Sequence, residues 1–101
     1  MKTKKQFTAI AKRWFDKVNG NTYHSVRIIR HTDGETLYCP FQYGYGDQYC
    51  QTALAAMVEA GWLPKEYNQG TAYSYEREND YPIIWEVADG LKRDCIANGI
   101  E

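Results

Sequence analysis

The sequence predicts an α+β fold: a small, mainly antiparallel sheet with one main helix packed on it, in the order β-β-β-α-β-β-α. Three observations lead there. Asn19-Gly20 and Asp33-Gly34 are hairpin signals, and they separate three runs rich in β-branched and aromatic residues. Residues 47–60 repeat apolar side chains at helical spacing. The 101 residues are 44% apolar, enough for one core and hence a single domain over 1–101. No apolar run approaches the roughly 20 residues that span a bilayer.

Residues 7–18, FTAIAKRWFDKV, fit two patterns. Phe7, Ile10, Ala11, Trp14, Phe15 and Val18 fall at helical spacing, while Ile10, Trp14 and Val18 also share one strand face. The Asn-Gly that follows tolerates positive φ at both residues and favours a strand entering a hairpin. Residues 22–30, TYHSVRIIR, read as the second strand. In 35–43, Leu37, Cys39, Phe41 and Tyr43 alternate onto one face. Pro40 offers no N–H, so this third strand belongs at an edge or carries a bulge.

The helix over 47–60 starts from Asp47 as N-cap and buries Cys50, Ala53, Leu54, Met57 and Val58. Gly61 suits the C′ position and Pro64 blocks continuation. Residues 65–72 read as a loop, 73–78 and 82–88 as extended, and 89–98 as a short terminal helix. The expected core is Trp14, Val26, Ile28, Leu37, Phe41, Leu54, Met57, Val58, Ile83 and Trp85.

Charge is divided along the chain. Residues 1–31 hold eight basic side chains and one acidic one, whereas residues 32–101 hold four and twelve. Such a split marks either a basic face for nucleic acid or two halves that neutralise each other on folding. The basic N-terminus lacks the apolar stretch of a signal peptide, which predicts a cytoplasmic protein. Three cysteines, with no C-x-x-C pair, argue against a disulfide framework and a zinc module.

Five constellations could carry function. Gly44-Tyr45-Gly46-Asp47 at a strand-to-helix turn could cradle phosphate, but Asp47 would repel an anion, so a structural turn is the better reading. Cys50 near a helix N-terminus could act as a nucleophile with His24 or His31, yet it also belongs to the apolar stripe, which predicts burial. Neither constellation earns a catalytic, metal or cofactor assignment. Nine tyrosines exceed what a small core can bury with satisfied hydroxyls, and Tyr45, Tyr73 and Tyr75 are expected to be exposed and to contact a protein partner. Lys12, Arg13, Lys17, Arg27 and Arg30, interleaved with Trp14 and Tyr23, form the alternative site, tracking a phosphate backbone. The acidic stretch from Glu76 to Asp89 is interrupted by Arg77 and is simplest as local salt bridges.

Arg13-Trp14-Phe15, Gly20-Asn21-Thr22-Tyr23-His24-Ser25-Val26 and Tyr43-Gly44-Tyr45-Gly46-Asp47-Gln48-Tyr49 resemble a family of short accessory proteins encoded by phages and prophages. The resemblance covers about half of the chain, up to Leu63, with Asp89-Gly90-Leu91-Lys92-Arg93 beyond it. It implies a gene context in which small proteins act on host machinery. The expectation is a non-enzymatic factor that binds a host bacterial protein or ribonucleoprotein complex, anti-CRISPR-like, by steric occlusion. The alternative is a nucleic-acid-binding module that uses the basic hairpin. An uncovered strand edge in so small a sheet also offers a route to a homodimer.

Overall fold

A computed structural model describes residues 5–44, 46, 48–67, 72–79 and 82–100, with the backbone alone at 72–74. Its elements are β1 (Phe7–Asp16), β2 (Asn21–Arg30), β3 (Thr36–Tyr43), α1 (Gln48–Glu59), a 3-10 turn (Lys65–Tyr67), α2 (Ala72–Glu78), β4 (Ile83–Asp89) and α3 (Lys92–Asn98). The class is α+β, as expected. Residues 7–16 are a strand, so the hairpin signal outweighs the helical spacing in this segment.

Both hairpins turn in the same way. Gly20 N–H donates to Asp16 O at 2.7 Å, and Gly34 N–H donates to Arg30 O at 2.8 Å. Each glycine has positive φ, 71° and 75°, where a Cβ would be strained. The Asp16 carboxylate accepts the N–H groups of Val18 and Asn19 and the Asn19 amide, which fixes the first turn. The resulting register pairs Asp16 with Asn21 and Phe7 with Arg30.

The strand order is β3-β2-β1-β4. β1, β2 and β3 are antiparallel neighbours, but β4 runs parallel to β1, so the sheet is mixed. The segment 73–78, expected as a strand, is most of helix α2 instead. Tyrosines two apart imitate strand alternation, but Ala72, Glu76, Arg77 and Glu78 favour helix, and Asn79 N–H closes onto Tyr75 O at 3.1 Å. Without a fifth strand, β3 and β4 run in the same direction, and α1, the 3-10 turn and α2 form the crossover between them.

One face of the sheet buries Phe7, Ala9, Ala11, Val26, Ile28, Cys39 and Ile83 against Ala53, Leu54, Met57 and Val58 of α1. α1 ends as expected: Gly61 N–H bonds Val58 O and Trp62 N–H bonds Met57 O, with Gly61 at φ 81°. Asp47, the expected N-cap, lies outside the described residues. Tyr75 from α2 completes this core. It is 4% exposed and meets the Tyr67 ring at 5.1 Å, so the expectation that it faces solvent is corrected. A helix has one inward stripe, and Tyr75 occupies it in α2.

α3 covers the opposite face, which the sequence reading left bare. Ser25 and Lys12 alternate away from the α1 side, and α3 packs there on polar atoms. Asn98 Nδ2 donates to Ile10 O at 2.9 Å and to Ser25 Oγ at 3.2 Å. Ser25 Oγ donates to Cys95 O, and Cys95 Sγ donates to Lys12 O at 3.2 Å. Arg27 reaches the last carbonyls of α3, Asn98 O at 3.3 Å and Ala97 O at 3.4 Å, where a cation offsets the negative helix end. Gly99 allows the close approach: a Cβ there would sit 2.6 Å from Cys39 O and 2.9 Å from Pro40 Cα. Trp14 and Phe41, expected in the main core, are half-buried on this second face, Trp14 by strand alternation and Phe41 because a bulge opposite His24 and Val26 reverses the alternation of β3.

Candidate functional site

β1 is paired with β4 only as far as Arg13 with Asp89. Trp14, Phe15 and Asp16 therefore overhang β4, and the β1–β2 hairpin projects past the sheet. A cavity of about 420 Å³ lies under the overhang, lined among others by Trp14, Phe15, Lys17, Asp89, Gly90 and Leu91. Phe15 and Leu91 are each more than half exposed here, and Val18 at the turn is 92% exposed.

A row of rings on the α3 side backs this end of the sheet. Trp14 and Tyr23 are cross-strand partners with centroids 5.7 Å apart. Tyr23 stacks on Phe41 at 5.0 Å with planes 8° apart, and Tyr43 meets Tyr23 edge-on at 5.8 Å. Lys92, at the start of α3, places its Nζ 5.2 Å from the Trp14 ring centroid. A bulge between His24 and Val26 turns β3 so that Phe41 and Tyr43 both join the row.

Buried hydrogen bonds hold the strand-to-helix turn beside it. His24 is buried, with Nδ1 at 3.1 Å from Gly44 O and Nε2 at 2.8 Å from Thr52 Oγ1. Burial pushes its pKa below the ordinary value, so the ring is neutral at physiological pH. The imidazole occupies the space a Gly44 side chain would need, since a Cβ there would lie 2.7 Å from His24 Cε1. The space beside Gly44 is thus filled by the His24 ring.

His24 spends both ring nitrogens on Gly44 and Thr52. His31 sits at the far end of β2, with Nδ1 at 3.1 Å from Lys5 O and Nε2 at 2.7 Å from Thr8 Oγ1. Neither histidine points a nitrogen at the half-buried Cys50. Burial pushes the Cys39 thiol up to about 11 and raises Cys95 as well, which keeps both protonated. Among the described residues no group of three or more His, Cys, Asp or Glu is placed to hold a metal.

The five basic candidates do not form one track. Arg13 alternates onto the α1 side and bonds Asp89 Oδ1 at 2.8 Å and Gly46 O at 3.2 Å. Arg30, also on that side, pairs with Asp33 at 2.6 Å and lies 4.4 Å over Trp62. Arg27 is on the α3 side, bonded to the end of that helix and 5.2 Å from the Tyr38 ring centroid. Lys12 is half-buried beneath α3, and Lys17 is exposed in the turn. Of the tyrosines expected to bind, Tyr45 and the Tyr73 side chain lie outside the described residues, and Tyr75 is in the core. The overhang was missed because β4 was expected to pair within an antiparallel sheet. The visible signal was the apolar pair Phe15 and Val18 flanking a polar turn.

No helix among the described residues is long and apolar enough to cross a membrane. The fold and this site define a small mixed-sheet α+β protein with an apolar, aromatic-backed overhang. Comparison with protein-family models, with curated proteins and with solved structures finds no match.

Proposed function

We propose that the chain is a binding module whose overhanging hairpin docks on a protein. The observation that carries this reading is that Phe15 and Leu91, both more than half exposed, line one cavity with Trp14 at the overhang, with Val18 exposed at the turn beside it. Exposed apolar groups scattered singly need no explanation, but two that share a cavity wall with a tryptophan have the composition of an interface core. Lys17, Lys92, Asp16 and Asp89 supply a rim of mixed charge.

The ring geometry favours protein over single-stranded nucleic acid. Base stacking needs free ring faces, whereas Tyr23 and Phe41 lie face to face. The arginines that would follow a phosphate backbone are split between two faces and bound to acidic groups or carbonyls. The resemblance to phage and prophage accessory proteins supports a host bacterial protein complex as the partner, held by steric occlusion, with a defence complex as the leading case. The chain acts in this reading without a cofactor and without catalysis.

The test is affinity capture of the tagged protein from a defence-competent bacterial lysate, with and without nuclease, read by mass spectrometry. The expected result is a stoichiometric protein partner that survives nuclease. Recovery of nucleic acid alone, or of complexes that vanish with nuclease, would instead favour the basic hairpin.

A further inference from the structure

The sheet has two outer strands, and they differ. β3 is blunted: Pro40 has no N–H, its carbonyl accepts Gln42 Nε2 at 2.9 Å, and the bulge distorts the strand. β4, IIWEVAD, has neither proline nor bulge, and its two charged residues are Glu86 and Asp89, the latter engaged by Arg13. Phe7 N–H bonds Pro82 O, and Gly90 N–H bonds Arg13 O. The two-residue alternation of a parallel ladder then turns Ile84, Glu86 and Ala88 toward β1. The N–H and C=O groups of Ile83, Trp85, Val87 and Asp89 point outward, and none of the described residues bonds them. Ile84 on one face and Val87 on the other are each well over a third exposed.

We propose that β4 pairs antiparallel with β4 of a second copy, about a two-fold axis at Trp85. The strand is self-complementary in that register. Trp85 faces the partner's Trp85 and Ile83 faces the partner's Val87, so both outward backbone groups of each are satisfied. Ile84 lies beside the partner's Glu86 and diagonal to the partner's Ile84, which covers the exposed isoleucines. Moving the axis one residue toward the C-terminus sets Glu86 opposite the partner's Glu86, a like-charge pair that disfavours that shift. The axis is closed and isologous, so pairing stops at two copies. The product is one eight-stranded sheet with an overhanging hairpin at each end, because β1 and β4 run together and β4 meets its copy antiparallel.

The test is light-scattering mass and sedimentation equilibrium across a wide concentration range, for wild type, Val87→Pro and Val87→Lys. Val87 N–H points away from β1, so proline there removes an outward donor without breaking the native ladder. Wild type is expected to approach twice 11.7 kDa as concentration rises, and both variants to stay at 11.7 kDa with an unchanged circular-dichroism spectrum. Hydrogen exchange adds the register: the amides of Ile83, Trp85 and Val87 are protected in the dimer and exchange freely on dilution. Should the proline variant unfold, the lysine variant alone decides. A wild-type monomer at every concentration, or a dimer that persists in a folded variant, overturns the proposal.

Discussion

The two faces of the sheet are closed by different chemistry. The α1 side is sealed by apolar side chains from Phe7, Ile28, Leu54 and Met57 to Tyr75. The α3 side is held by hydrogen bonds among Ser25, Cys95, Asn98 and Arg27, and it stops short of the hairpin, leaving Trp14, Tyr23 and Phe41 half-buried. Apolar burial is non-directional and supplies the bulk of folding free energy. Polar contacts are directional and seat α3 in one position. The overhang beyond β4, bounded by Phe15 of the first face and Trp14 of the second, is where apolar surface is left exposed.

The comparison breaks most visibly in the α1-side core. Leu54→Ala removes a fully buried side chain from the core between α1 and the sheet and is expected to cost about 2–5 kcal/mol, measured by urea unfolding. On the α3 side the loss should be smaller but sharper in kind. Asn98→Ala strips Ile10 O and Ser25 Oγ of their buried donor and should cost about 1–3 kcal/mol. A loss on the α3 side as large as that of Leu54→Ala would mean that the polar face carries more of the fold than this account allows.

Acid should act through the α1 side. Burial holds the His24 pKa below 6.5, so as pH falls the unfolded chain takes up the proton first. The His24 contribution is complete above about 6.5 and declines as pH drops below it toward the folded-state value. Thermal melts at roughly pH 7.5 and roughly pH 5 should therefore differ, and His24→Gln should shrink the difference. A midpoint that rises on acidification would contradict this placement of the ring. The smallest expected stability effect is at the overhang. Phe15→Asp should change unfolding free energy by no more than about 0.5 kcal/mol, because the side chain already faces water.

Much of this architecture was legible in the sequence, and the failures share a cause. Asn19-Gly20 and Asp33-Gly34 placed both hairpins, and Gly61 placed the end of α1, because each depends on a local backbone conformation. Pro40 announced an edge strand. What failed was long-range. Tyr75 looked exposed because its burial depends on Tyr67 and on α1, not on its neighbours in sequence. The false strand at 73–78 concealed the crossover and with it the parallel pairing of β4. The Trp14 overhang follows from that pairing, so the proposed docking surface is not legible until β4 is placed. Charge misled in the same way: Arg13, Arg27 and Arg30 cluster in sequence, but strand alternation and their acidic or carbonyl partners disperse them.

The proposed docking surface is the hairpin overhang bounded by Phe15 and Leu91, and not the outer side of α1. The most direct measurement is lysate capture with three baits: wild type, a Phe15→Asp/Leu91→Asp variant, and a control carrying Glu59→Lys at the exposed end of α1. Wild type and control are expected to retain the same nuclease-resistant protein partner, while the overhang variant, folded by circular dichroism, loses it. Equal capture by all three baits, or loss in the control alone, would rule out the overhang as the docking surface.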